Sequence, residues 1–233
     1  MDFPIDQREQ KETQIEQVQS VVLRTLKIID IVCKKHDIGY WLDYGTLLGA
    51  IRHKGFIPWD HEADIGMVRT DFEKFLSVIE NELPFDLFFQ CRESDPNFVV
   101  YELIEGKVRD RYSDYIDDYS KYENCNWHNG IQVDIFVYDL DHNWENCITN
   151  GFERYFSKGC IHLTFDEIDH TINKEFCGQN FPVPCGFDKY LKRAYGEYMN
   201  LPPKEQRKIP NVNVFTPCNH FASLNWNDRA SIR

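Results

Sequence analysis

No stretch of roughly 18 or more apolar residues occurs in this 233-residue chain, so no membrane-crossing helix is predicted. There is no basic excess either: 26 Lys and Arg stand against 38 Asp and Glu, a formal net charge of −12. That argues against a nucleic-acid binder, which needs a basic surface for the phosphate backbone. It still leaves room for a small basic pocket around one phosphorylated ligand. The eight cysteines, Cys33, Cys91, Cys125, Cys147, Cys160, Cys177, Cys185 and Cys218, include no Cys-x-x-Cys pair, and no Asn-x-Ser/Thr sequon is present. Scattered thiols in a chain of this length read as reduced residues in or near the core; the alternative is a structural zinc site or one or two bridges between Cys147 and Cys218. The polar start lacks the apolar stretch of a signal peptide, which points to the cytoplasm. Internal repeats, low-complexity tracts and linkers are also missing.

What is present is ample core material: 42% of residues are apolar and 15% aromatic, enough for one sizeable domain over 1–233. Ile15, Val18, Val22, Leu26, Ile29 and Val32 recur at helical spacing, predicting an amphipathic helix over about 12–35. A short strand is expected at 38–43, then a turn at Gly45 and a short helix over 47–52 capped by Thr46. A strand over 62–68 should lead into a helix over 69–83. Further strands are expected at 85–91, 99–109 and 131–138, mixed helix and loop over 142–180, and a last helix over 187–199 that stops before Pro202 and Pro203. From about 205 the chain is polar and irregular, wrapping the surface or loosely held. This mixed order indicates an α+β or α/β domain.

The segment Trp59-Asp60-His61-Glu62-Ala63-Asp64 alternates acids with other residues. In an extended chain Asp60, Glu62 and Asp64 would share one side and His61 the other. Carboxylates on one side raise one another's pKa, a cost that a bound cation removes. An all-oxygen set suits Mg²⁺ or Mn²⁺ better than Zn²⁺. The competing reading is a solvated acidic loop. Two other segments favour a site. Tyr44-Gly45-Thr46 combines a glycine with a hydroxyl at a helix start, where backbone N–H groups can hold phosphate. Asp134 stands alone in the apolar run Val133-Asp134-Ile135-Phe136 and needs a partner there, either a metal shared with Glu62 and Asp64 or an Arg or Lys. Among the basic residues, Arg52, His53 and Lys54 lie between the Gly-Thr turn and the acids, and Lys107 and Arg109 alternate on a strand and so share a face. Trp41 and Trp59 read as core rather than ligand platforms. Trp127 and His128 precede the Asp134 strand and could line a pocket.

Taken together, these pieces resemble the LicD family, which includes bacterial phosphocholine transferases, fukutin and fukutin-related protein. The resemblance rests on three motifs: residues 42–59 (LDYGTLLGAIRHKGFIPW), residues 129–136 (NGIQVDIF) and residues 190–203 (YLKRAYGEYMNLPP). After Trp59 the family's commonest wording is three consecutive Asp, a small residue and Asp; here it is Asp60-His61-Glu62-Ala63-Asp64. The alternating acids survive, with Glu62 one methylene longer than Asp.

The resemblance implies a polymerase-beta-like nucleotidyltransferase core, a mixed sheet flanked by helices. It also implies a metal-dependent phosphotransferase that moves a phospho-alcohol from a CDP-activated donor to a hydroxyl of a glycan or glycolipid, with release of CMP. Phosphocholine is the first expectation and ribitol phosphate the second. Asp60, Glu62, Asp64 and Asp134 would be the Mg²⁺ or Mn²⁺ ligands, with Asp134, Asp64 and Glu62 catalytic. Gly45, Thr46, Arg52, Lys54, Lys107, Arg109 and Asn129 would bind substrate. Two other readings stay open at this stage: nucleotidyl transfer to a small acceptor, and an inactive relative that binds a nucleotide or glycan. The animal members reside in the Golgi, so a longer parent chain would leave that lumen open as the location.

Overall fold

A computed structural model describes residues 2–100, 102–115, 127–141, 145–209 and 211–227; Cys125 lies outside them. A 3-10 turn over Arg8–Gln10 precedes α1, Gln14–His36. This helix opens with a capping box, in which Thr13 accepts from the Glu16 backbone and Glu16 accepts from that of Thr13, and it closes at Asp37 in the left-handed region. The chain then forms β1 (Trp41–Leu42), α2 (Tyr44–His53), β2 (Ala63–Val68), α3 (Arg69–Glu82), β3 (Leu87–Gln90), β4 (Gly106–Asp110) and β5 (Asp114–Tyr115). After these come β6 (Gln132–Leu140), β7 (Cys147–Thr149), α4 (Gly151–Phe156), β8 (Leu163–Thr164), α5 (Phe165–Ile168), β9 (Thr171–Phe176), β10 (Gln179–Pro184), α6 (Phe187–Tyr195) and β11 (Val212–Asn213).

The main sheet runs β1-β2-β6-β4-β3, with β7 on the far end of β6 and β8 beside β7. Strands β2 and β6 are parallel, and every other described pairing is antiparallel. Strand alternation divides this sheet into two faces. One carries Ala63, Ile65, Met67, Val108, Val133, Ile135 and Val137, all fully buried. Helices α1 and α3 pack on the sheet, and their apolar stripes supply Val22, Leu26, Ile29, Phe72, Phe75 and Ile79 to the core. The other face holds Asp64, Gly66, Lys107, Arg109, Asp134, Phe136 and Tyr138. At Gly66 a Cβ would overlap the indole of Trp41, so the glycine lets that ring lie directly against the strand, 5.2 Å from the ring of Tyr138. Trp41 is therefore core, as its sequence context indicates.

The α+β class and mixed sheet agree with expectation; several boundaries do not. Helix α2 starts at Tyr44 with Asp43 as its cap, so Gly45 and Thr46 lie inside its first turn and Thr46 is not the cap. The strand expected over 99–109 is regular only from Gly106. The last helix stops at Gly196 in positive φ, short of residue 199. The C-terminal segment is held rather than loose: β11 pairs with β5, and Val212, Val214 and Cys218 are buried. The seven described cysteines are all free thiols.

Arg8 is fully buried and ties three distant segments together. Its guanidinium donates to both Asp110 carboxylate oxygens at 2.9 and 2.6 Å, to the Val214 carbonyl at 2.6 Å and to Asp6 at 2.9 Å. Burial works against its charge, but Asp110 and then Asp6 more than compensate, so it is held more firmly protonated than usual. Removing one partner of such a pair leaves the other charged and desolvated. Arg8→Met is expected to lower stability by about 3–5 kcal/mol in urea unfolding. The double variant with Asp110→Leu should recover part of that loss, and an equal or larger loss in the double variant would contradict the ion-pair account.

Candidate active site

The parallel register of β2 and β6 sets Asp64 directly beside Asp134, and the antiparallel register of β4 and β6 sets Lys107 beside Asp134 and Arg109 beside Gln132. Strand β2 begins only at Ala63, so Asp60 and Glu62 lie in the irregular segment that enters it rather than on the strand. Glu62 nevertheless converges with the two strand acids: carboxylate oxygens of Glu62, Asp64 and Asp134 lie within 4.8 Å of one another. Asp60 stands outside this trio but close to it, since a Cβ at Gly45 would meet an Asp60 oxygen at 3.1 Å and an Asp64 oxygen at 3.7 Å. The absent side chain at Gly45 thus keeps the first turn of α2 in direct contact with the acids.

Neighbouring groups fix the trio in place. The Thr46 hydroxyl accepts from the Asp64 backbone N–H at 2.8 Å. The Lys107 ammonium donates to both Asp134 oxygens, at 2.7 and 2.8 Å, and is itself buried. Gln132 donates to Glu62 at 3.1 Å and approaches Asp134 at 3.5 Å. Arg109 in turn holds the Gln132 carbonyl oxygen, the Gly130 carbonyl at 2.7 Å and Gln90 at 2.5 Å, and one of its terminal nitrogens is buried without a hydrogen-bond partner among the described residues. The buried Asp134–Lys107 pair answers the question of what partners this aspartate in an apolar strand.

Electrostatically the site is short of positive charge. Burial first, then the charge of Asp134, pushes the Glu62 carboxyl up to about 7, against the opposing pull of His61 and Lys107. Burial, followed by Glu62, Asp134, Asp60 and Asp43, holds Asp64 well above the carboxylate range. Asp60 is raised as well, mainly by burial and partly offset by His61. Behind the acids lies a second buried carboxylate. Asp43 caps α2 and accepts from Tyr138 Oη at 2.7 Å and Tyr190 Oη at 2.9 Å; burial outweighs these bonds and lifts it to about 6. The Tyr195 phenol, at the end of α6, is held protonated by burial and by the nearby charges of Asp64, Asp43 and Asp60.

Of the basic residues expected at the site, Lys107 and Arg109 are there and two others face elsewhere. Arg52 donates to the Tyr198 carbonyl at 2.7 Å and the Asn200 carbonyl at 3.2 Å, which anchors the segment after α6. Lys54 lies 3.8 Å from Glu175 on β9. Asn129 donates to the Tyr115 carbonyl at 2.6 Å and braces β5 rather than the acids. His61 turns its ring toward Tyr115, with centroids 5.5 Å apart, and the Tyr115 hydroxyl donates to its carbonyl at 2.8 Å. Gln132, Asp43 and Tyr195 are site neighbours that reading the acids alone does not single out. All three nevertheless fall inside the motif segments around 42–59, 129–136 and 190–203.

Comparison with known proteins agrees with this arrangement. Residues 37–186 match the family described as LicD/FKTN/FKRP, nucleotidyltransferase domain, and that span takes in every acid of the site. The lipopolysaccharide cholinephosphotransferase LicD of Haemophilus influenzae is 24% identical over 87% of this chain and 97% of its own length. The ribitol-5-phosphate transferase FKTN of mouse is 25% identical over 81% of this chain, which spans only 36% of that protein. A shorter stretch of 47 residues is 40% identical to the human ribitol 5-phosphate transferase FKRP, covering 20% of this chain and 10% of the other. With more than half of its length matched, the chain belongs to the LicD/FKTN/FKRP family.

Proposed function

We propose that this protein is a phosphotransferase that uses Mg²⁺ or Mn²⁺. It moves a phospho-alcohol from a CDP-activated donor to a hydroxyl of a glycan or glycolipid and releases CMP, on a core of the polymerase-beta-like nucleotidyltransferase type. The observation that carries this reading is the convergence of Glu62, Asp64 and Asp134 within 4.8 Å, with the Lys107 ammonium paired to Asp134. Three carboxylates against one ammonium leave a deficit of two positive charges when all are ionised. Their oxygen-only donor set suits a hard divalent ion. Glu62, Asp64 and Asp134 would hold it, with Asp60 close enough to assist. Phosphocholine is the first choice of group, because the relative that this chain spans almost end to end is named a cholinephosphotransferase. Ribitol phosphate is the second, from the fukutin-type relatives.

When bound, the ion would neutralise the carboxylates and the charge that develops on the transferring phosphoryl oxygens. The chain's own residues supply positioning. The first turn of α2, bare at Gly45, offers its N-terminal N–H groups to the donor phosphates. Lys107 and Arg109 add positive charge on the same sheet face. The acceptor oxygen forms a bond to the phosphorus of the phospho-alcohol, the bond from that phosphorus to the CMP oxygen breaks, and Asp134, oriented by Lys107, takes the acceptor's proton. Arg52 and Asn129 act on this reading through the segments they brace, and Lys54 from the C-cap of α2.

Three measurements test the proposal. Thermal unfolding with CDP-choline, CDP-ribitol, CMP, CTP or UDP-sugars should give a Mg²⁺-dependent rise with one CDP-alcohol. At a hundredfold excess over Kd the stabilisation is about 2.7 kcal/mol, several degrees in Tm. Asp64→Asn should abolish the rise; no shift with any cytidine ligand would overturn the donor assignment. In a turnover assay with the donor so identified, CMP rather than pyrophosphate should appear, and Asp134→Asn should lower kcat by about 10²–10⁴-fold. A full-rate Asp134→Asn enzyme would remove this residue from the chemistry.

The third measurement uses proton linkage. The folded-state pKa of Glu62 lies above its unfolded value of about 4.3, so its contribution is stabilising when protonated and is lost as pH rises through about 7. Metal-free protein in EDTA should lose on the order of 3–4 kcal/mol of stability between about pH 4 and pH 7. Glu62→Gln should flatten that part of the profile, and Mg²⁺ should restore stability at the alkaline end. Identical profiles for wild type and Glu62→Gln would show that Glu62 is not strained by its neighbours.

A further inference from the structure

A second group of metal-ligating side chains lies away from the acids. His128 precedes β6, while Cys218 and His220 flank the start of the 3-10 turn Asn219–Phe221. The Cys218 Sγ is 3.9 Å from Nδ1 of His128 and 3.9 Å from Nδ1 of His220, and one ligand atom from each of the three residues fits within 4.8 Å. Zinc bound to sulfur at about 2.3 Å and to imidazole nitrogen at about 2.0–2.1 Å, at a tetrahedral angle, places S and N about 3.6 Å apart. The observed separations lie within a few tenths of an ångström of that value. A thiol donating to one imidazole accounts for one such distance, whereas Cys218 is equidistant from two.

The surroundings hold the three side chains in place. Cys218 is buried and His220 exposed, so a fourth position can face solvent. The His128 ring is clamped, stacked on Phe221 at 4.2 Å and tilted against Phe88 at 4.4 Å. Its backbone is fixed on both sides: its N–H donates to Asp95 at 2.9 Å and its carbonyl accepts from Gln90 at 3.1 Å. The two imidazole centroids are 4.4 Å apart, so both rings stand beside the Cys218 sulfur. Asp95 and Asp114 lie near these histidines, against Arg109 and Arg111 on the cationic side.

We infer that His128, Cys218 and His220 form a Zn²⁺ site, with water as fourth ligand, that clips the C-terminal segment to the loop leading into β6. A thiolate with two imidazoles is a borderline-soft donor set that selects zinc over magnesium, opposite to the oxygen-only set of the acid cluster. The clip would join residues 90 positions apart and anchor the loop from which Gln132 and Asp134 emerge.

The test uses the full chain, reduced and stripped of metal, titrated with Zn²⁺ against a chromophoric chelator and separately with Co²⁺. We expect one equivalent of Zn²⁺ per chain, with a thiolate-to-cobalt charge-transfer band and the visible spectrum of four-coordinate Co²⁺. Saturation at a hundredfold excess over Kd should raise Tm by about 5–10 °C. Binding should survive in Asp64→Asn and be lost in both Cys218→Ser and His220→Gln; the exposed His220 can be replaced without a packing defect. Zinc binding that persists in both ligand variants, a cobalt spectrum without the thiolate band, or binding that disappears in Asp64→Asn would overturn the inference.

Discussion

Repulsion between Asp64 and Asp134, placed side by side by the parallel pairing of β2 and β6, is the constraint around which the structure is arranged. A sheet could relieve it by sliding one strand by a residue, but that slip would move either Ala63, Ile65 and Met67 or Val133, Ile135 and Val137 out of the apolar core. Burial of one face therefore holds the like charges together on the other. Lys107, supplied by the next strand, compensates only part of the charge. Burial, and after it the charge that remains, pushes Glu62 and Asp64 upward.

The parts behind the acids act as a rigid backing. Asp43, Tyr138 and Tyr190 form a buried hydrogen-bonded knot joining the start of α2, the C-terminal part of β6 and the first half of α6. Tyr44 extends it, donating to Glu153 at 2.7 Å and accepting from Asn150 at 2.9 Å, with its ring 4.6 Å from that of Phe136. These groups locate the first turn of α2, and thereby Gly45 and Thr46, against the carboxylates. Because the hydroxyls are satisfied, the network orders the site without adding unpaired polar atoms beside it.

How much of this was legible depended on the range of the interaction. The α1 stripe, the β2 segment and the acids of residues 60–64 could be read from local period and composition, because each is written in one continuous stretch of chain. Lys107 and Arg109 could be placed on one face from strand alternation alone. Partners set by tertiary contact could not: nothing near Arg52 says that its guanidinium will take the Tyr198 and Asn200 carbonyls, and nothing near Arg8 says that it will be buried against Asp110. The cap of α2 was misplaced for a related reason. Asp43 and Thr46 are both capping residue types, and only the hydrogen bond from the Asp64 N–H to Thr46 shows which one the tertiary structure uses elsewhere. The tail read as irregular because its order comes from β5 and Arg8, not from its own pattern.

The lone parallel pair in an otherwise antiparallel sheet also governs the order of assembly. The β9–β10 hairpin closes within a few residues of its turn and can form early, as can α1 once its capping box closes. Glu62 and Gln132, by contrast, are 70 residues apart, and their meeting requires β6 to insert between β2 and β4, each contributed by a separate stretch of chain. Contacts of that range form more slowly than the local hairpin and helix, so the carboxylate trio waits on the long-range pairing of the sheet. A partly folded chain would carry the acids dispersed, and the carboxylate cluster would arrive together with completion of the sheet.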